Sequence, residues 1–131
     1  MRVAIISPPF VPVPPMTYGG TEQVVWELAR GLRDLGHAIT LFATGDSVLP
    51  GVEIRWQRPT AEWPPCPYRE VEQAAWAVEE IGRARARYDL VHSHLPTVLP
   101  LARFIDAPLV YTVHHAFDAS LSALYTRCVA K

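Results

Sequence analysis

Five short apolar runs, set between longer amphipathic stretches, give the chain its rhythm. Val3-Ala4-Ile5-Ile6, bounded by Arg2 and by Ser7-Pro8-Pro9, is a continuous apolar run of strand length. Such a run suits a strand buried on both faces. Val24, Val25, Leu28, Ala29, Leu32 and Leu35 then recur at helical spacing, and Gly36-His37 supplies a stop. Residues 38–43 predict a second buried strand ending at Thr44-Gly45-Asp46. Residues 52–56 alternate, as a strand at or near an edge does. Over residues 69–87, Val71, Ala74, Ala75, Val78, Ile81 and Gly82 mark one face of a long helix. Residues 88–94 predict a fourth strand turning at Pro96, residues 97–104 a short helix, and residues 109–113 a fifth strand running into His114-His115. Asp118 or Ser120 is placed to cap a last helix carrying Leu121, Leu124 and Tyr125.

Strands alternating with helices predict an α/β fold: a doubly wound, Rossmann-like, mostly parallel sheet of about five strands in three layers. In such sheets ligands bind beyond the carboxyl ends of the strands, where the strand order reverses. Length changes the picture little, since 131 residues make one domain. With half of the residues hydrophobic, a core can form. A net charge of −1 gives no reason to expect nucleic acid or an anionic membrane as partner. No apolar run approaches the roughly 20 residues of a membrane span. The opening residues do not read as a signal peptide, and Cys66 and Cys128 are isolated. The expected location is therefore the cytoplasm.

Thirteen prolines are unusual for this length. They gather at Pro8, Pro9, Pro12, Pro14 and Pro15 and again at Pro59, Pro64, Pro65 and Pro67, so both stretches are expected to be loops, the second over residues 57–67. Residues 10–18, with few large apolar groups, are expected to cross the cleft mouth as a mobile loop.

Candidate chemistry collects at the strand ends. Gly19-Gly20 opens the first helix after a loop, which presents free N–H groups and the positive end of the helix dipole to an anion. The plainer alternative is a tight turn feeding a helix. Thr44-Gly45-Asp46, Ser93-His94 and His114-His115 end strands at the same edge. His92 and His94 share one strand face, His92 being expected to lie deeper. Zinc held by His92, His94, His114 and Asp46 is a weaker alternative, because nothing in the spacing fixes their convergence. A dinucleotide fingerprint is absent, since the G-x-G-x-x-G spacing is not there. Arg83, Arg85 and Arg87 suit a helix C-terminus better than a phosphate site.

Together, M-R-V-A-I-I-S-P-P-F, Y-G-G-T-E, L-x-x-L-G-H, L-F-A-T-G-D-S, Y-D-L-V-H-S-H and V-Y-T-V-H-H resemble the N-terminal half of family 4 glycosyltransferases of GT-B fold. The resemblance runs over residues 2–124. It implies a retaining transferase that uses a nucleotide-sugar donor without a metal or other cofactor, and that binds its small-molecule acceptor mainly on this domain. Gly19 and Gly20 would approach the donor diphosphate, and His114 would lie beside the transferred sugar as the catalytic residue. Tyr18, Thr21, Glu22, Asp46, His94 and His115 would be acceptor-binding or cleft residues.

The family's second domain, with its basic diphosphate ligands and Glu-x7-Glu motif, has no counterpart in these residues. At least one further strand is expected after the last helix. The chain therefore reads as a truncated N-terminal domain, inactive alone. The alternative from another class is a non-catalytic ligand- or partner-binding module. A strand edge left bare at residues 110–113, and a last helix exposing Leu121, Leu124 and Val129, also lead one to expect self-association.

Overall fold

Val3, Ala4, Ile5 and Ile6 have no exposed surface, which fixes their strand in the middle of the sheet. A computed structural model describes residues 1–84 and 86–129 of the chain, and of residue 129 only its backbone. The expectations for Arg85 and for the Val129 side chain lie outside the described residues. Strand β1 (Arg2–Ile6) pairs in parallel with β2 (Ala38–Phe42), Val3 opposite Ile39 and Ile5 opposite Leu41. On its other side β1 pairs with β4 (Leu90–Ser93), while β3 (Glu53–Arg55) and β5 (Leu109–Tyr111) lie outermost. The order is β3-β2-β1-β4-β5, all parallel. This is the doubly wound α/β sheet that the alternation of elements predicts, and it reverses direction between β1 and β4.

Each strand residue faces one of two clusters. Val3 and Ile5 pack with Val25 and Ala29 of helix α1 (Gly20–Asp34), together with Ile39 and Leu41. Ala4 and Ile6 pack with Ala74, Ala77, Val78 and Ile81 of helix α2 (Pro67–Arg83), together with Phe42 and Val91. The stop expected at Gly36-His37 is present. Gly36 has φ 85°, its N–H donates to the Arg33 carbonyl, and the His37 N–H donates to the Leu32 carbonyl. That pair of bonds is the Schellman arrangement, which a glycine permits because it has no Cβ to clash.

Helix α2 departs from expectation in three ways. It starts at Pro67 rather than after it, because proline at the first helical position lacks only an N–H that would be unpaired there anyway. It ends at Arg83, so Arg87 lies beyond the helix, exposed and 3.8 Å from Asp106. Its buried face is Gln73, Ala74, Ala77, Val78 and Ile81, whereas Val71, Ala75 and Gly82 are exposed. A buried glutamine explains the shift. Gln73 Nε2 donates to the carbonyls of Ser7 (3.4 Å) and Phe42 (3.3 Å), where β1 and β2 run out of ladder.

Residues 96–104 form a 3-10 helix, Pro96–Phe104, in which Pro100 has no N–H to make an α-helical bond to Pro96. Helix α3 (Ala119–Val129) is capped by Asp118, not Ser120. The Asp118 Oδ1 accepts the N–H groups of Ser120 (2.8 Å) and Leu121 (3.1 Å). Among the described residues no helix is long and apolar enough to cross a membrane.

The loop after β1 is docked rather than loose, which corrects the expectation of a mobile segment over residues 10–18. Val13 is fully buried and fills the α1-side cluster. Its N–H donates to Ser47 Oγ at 2.9 Å, and its carbonyl accepts the Val48 N–H at 2.8 Å. Only Met16, Thr17 and Tyr18 are exposed. Gln73 tests the packing of this strand-end region. Gln73→Ala takes the side-chain donor from the Ser7 carbonyl and leaves the Phe42 carbonyl with the Ser7 N–H alone, and is expected to lower unfolding free energy by about 1–3 kcal/mol in denaturant titrations.

Candidate functional site

The sheet reversal leaves a crevice beyond the carboxyl ends of β1 and β4, and α1 begins directly over it. The crevice is a hollow of about 400 Å³ lined by Pro8, Phe10, Tyr18, Gly19, Gly20, Thr21, Glu22, Trp63, Glu70, His94 and His114, among others. The two glycines do different work. A Cβ on Gly19 would lie 2.8 Å from Pro15 Cβ, 3.0 Å from Glu22 Oε2 and 3.1 Å from Val11 Cγ1, so packing alone requires glycine there. Gly20 has nothing within 4 Å of such a Cβ, which leaves its backbone open to a ligand. The Gln23 N–H already donates to the Gly19 carbonyl. The N–H groups of Gly20, Thr21 and Glu22 precede the first helical bond and have no carbonyl partner within the helix.

Glu22 is buried, and burial raises its carboxyl pKa while its own backbone N–H opposes the rise. A carboxyl held toward its neutral form cancels less of the positive potential at the start of α1.

Three imidazoles form the other wall's core. The rings of His92 and His94 stack with centroids 4.7 Å apart, and those of His94 and His114 with centroids 4.9 Å apart. His94 Nδ1 and His114 Nε2 are 2.6 Å apart, one ring donating its N–H to the other's lone pair. His92 Nε2 and the Thr112 hydroxyl are 2.7 Å apart.

His94, not His92, is the deeper residue, contrary to expectation: it is 3% exposed, whereas His92 is half-buried. At the end of β4, His94 lines the hollow together with Pro8 and Phe10 of the loop after β1 and Glu22 of α1. Farther down the strand, on α1's side, surface stays open and Val110 of β5 is exposed. Burial, and then the positive charge that His92 or His114 would carry, push the His94 pKa down to about 3. Burial, and then the charge that His114 would carry, lower His92; burial, and then the charge that His115 would carry, lower His114. His94 is thus neutral near pH 7. Because its folded pKa lies below the ordinary 6.5, its contribution to stability is fully present above pH 6.5 and is lost progressively as pH falls toward about 3. Its Nε2, like the Ser7 hydroxyl, is buried without a protein partner among the described residues.

The hollow therefore brings together Tyr18, Gly19, Gly20, Thr21, Glu22, His94 and His114. It does not include Asp46 or His115. Asp46 accepts the Ala61 N–H at 3.0 Å and borders a neighbouring hollow that shares Tyr18 and Trp63. His115 donates from Nδ1 to the Ala116 carbonyl (2.9 Å), and its Nε2 accepts the Tyr125 hydroxyl (2.7 Å), which ties the loop after β5 to α3. Sequence reasoning missed Trp63 and Glu70. An aromatic residue inside a proline-rich loop at the ligand edge was the only available signal for Trp63. Glu70 gave none, since it sits on the helix that begins at Pro67. No group of three His, Cys, Asp or Glu side chains among the described residues is gathered as a metal site requires.

The two glycines separate packing from access. Gly19→Ala is expected to lose about 1–3 kcal/mol of stability by overpacking against Pro15 and Val11. Gly20→Ala should stay within about 1 kcal/mol of the parent. Denaturant midpoints of the two variants check both.

The model of Glycosyltransferase Family 4 matches residues 18–130. Thirteen chains of solved structures match as well. One of them is AviGT4, a glycosyltransferase involved in Avilamycin A biosynthesis, with a TM-score of 0.60 and 24% identity over 87% of this chain. The match covers 32% of the AviGT4 chain, so this chain spans about a third of that protein's length, and the likeness carries the fold. No curated protein matches the sequence. The family match takes in Gly19-Gly20, the start of α1 and all three stacked histidines, and the chain belongs to glycosyltransferase family 4.

Proposed function

We propose that this chain is the N-terminal, acceptor-side domain of a glycosyltransferase that moves a sugar from a nucleotide-sugar donor to a small-molecule acceptor, with retention and without a metal or other cofactor. The observation that carries the reading is the shared hollow: the free N–H groups at the start of α1 and the His114 imidazole face one space of about 400 Å³. In this reading the donor diphosphate lies against Gly19 and Gly20. His114, with Nε2 engaged by His94, offers its Nδ1 side to a hydroxyl of the transferred sugar and acts as the catalytic residue. Neutral His94 keeps that ring oriented. Tyr18, Thr21 and Glu22 border the acceptor, while Asp46 and His115 act outside the hollow as loop anchors. As part of the same proposal, the protein works in the cytoplasm.

Magnitudes call for a second domain. A helix N-terminus contributes about 0.3–1 kcal/mol to an exposed anion and about 2 when partly buried, whereas micromolar binding needs about 8 kcal/mol. No Lys or Arg lines the hollow among the described residues. The same shortage of cations favours the second reading, a non-catalytic binding module, for the 131-residue chain on its own.

Titration of the chain with UDP and GDP, followed by amide NMR, tests the donor assignment. Weak binding, in the millimolar range or above, is expected, with the largest shifts at the amides of Gly20, Thr21 and Glu22 and no sugar transfer or donor hydrolysis. Shifts confined to other surfaces would overturn the donor assignment. Turnover by this chain that disappears in His114→Ala would overturn the need for a second domain.

A further inference from the structure

The wall of the hollow supplied by residues 57–67 and α2 carries chemistry that neither the donor assignment nor His114 uses. Trp63 is 68% exposed and lines the hollow. A flat aromatic face of this kind suits the C–H face of a sugar ring, which is apolar, while the ring's hydroxyls point outward. Glu70 lines the same hollow, half-buried. One of its oxygens, Oε1, accepts the Thr97 hydroxyl at 3.2 Å. An ionised carboxylate has lone pairs to spare for further hydroxyl donors.

Charge narrows the choice of ligand. Glu22 and Glu70 both line the hollow, with no Lys or Arg among the described lining residues. The guanidinium groups nearest in sequence are held elsewhere. Arg58 pairs with Glu62 and Glu72, and Arg69 pairs with Glu62. A phosphate or carboxylate on an acceptor seated against Glu70 would meet a partly desolvated carboxyl with no cation to offset it. Burial raises the Glu70 pKa, and the Thr97 hydroxyl opposes the rise by donating to the carboxylate.

We infer that Trp63 and Glu70 form an acceptor subsite for a hydroxyl-bearing ring without an anionic group, the ring stacking on the indole and donating hydroxyls to Glu70. The inference rests on the acceptor-side reading above. It goes further in naming the substrate class: uncharged sugars or polyols are taken, and acceptors carrying phosphate or carboxylate on the seated ring are rejected.

Methyl β-glucoside, glucose 6-phosphate and methyl glucuronide, titrated separately into the 131-residue chain under amide and indole NMR, test it. The neutral glucoside is expected to shift the Trp63 indole and the Glu70 amide, and to bind at least about fivefold more tightly than either anionic ring, a difference of about 1 kcal/mol. Trp63→Ala, an exposed position, should weaken the glucoside by a similar factor. Glu70→Gln keeps a partner for Thr97 and should narrow the gap between glucoside and phosphate. Anionic rings binding as tightly as the glucoside, or a glucoside that leaves Trp63 and Glu70 unshifted, would overturn the inference. The donor assignment is read separately, at Gly20, Thr21 and Glu22 with UDP, so failure of one is distinguishable from failure of the other.

Discussion

Burial of β1 on both faces is the constraint from which the site follows. A strand with no exposed residue from Val3 to Ile6 needs a neighbour on each side and a helix over each face. In a parallel sheet only crossover connections supply these, so successive strands must be laid down first on one side of β1 and then on the other. Where the direction changes, the loops after β1 and β4 leave in opposite directions and a crevice opens between them. Ser7, Gly19, Gly20, His94 and His114 stand at that crevice because the sheet places them there, not because they are near in sequence. The same burial makes the strand ends demanding. Carbonyls that leave the ladder still need donors, and the buried Gln73 of α2 supplies one to Ser7 and a second, beside the Ser7 N–H, to Phe42.

Electrostatics at the crevice is set by exclusion of water. His94 is neutral because it is enclosed and because two further imidazoles lie against it. A neutral ring can hold His114 by a single 2.6 Å contact without placing a cation beside the start of α1. Glu22, raised by burial, likewise leaves that helix end less compensated. The result is a space in which one wall favours negative charge through backbone N–H groups and another, bearing Trp63 and Glu70, does not. Such asymmetry is what the proposed pairing of a charged donor with an uncharged acceptor would call for.

The sheet was legible because its strands are apolar runs of the right length and its first helix ends where Gly36 requires. The ordered motifs, from the opening strand to V-Y-T-V-H-H, made the family legible, and the family match bears that out. What was not legible came from tertiary context. Gln73 is polar and buried, so the apolar pattern of α2 pointed one position aside. Proline at a helix start looks in sequence like proline in a loop, which hid Pro67, while Glu70 lay on an expected helix whose polar positions gave no sign of the hollow. Val13 lies in a proline-rich stretch whose composition reads as loose, yet its side chain completes the core. The relative depth of His92 and His94 depends on which part of β4 the first loop covers, and strand periodicity carries no such information.

The central claim is that the crevice holds a neutral, water-excluded His94 against His114. Long-range ¹H–¹⁵N NMR of the histidine side chains across a pH series reads this directly. His94 should keep the nitrogen shifts of one neutral tautomer from pH 8 down to about pH 5, with His92 and His114 also titrating below the ordinary 6.5. A His94 that averages between tautomers like a free imidazole and protonates near 6.5 would contradict the account.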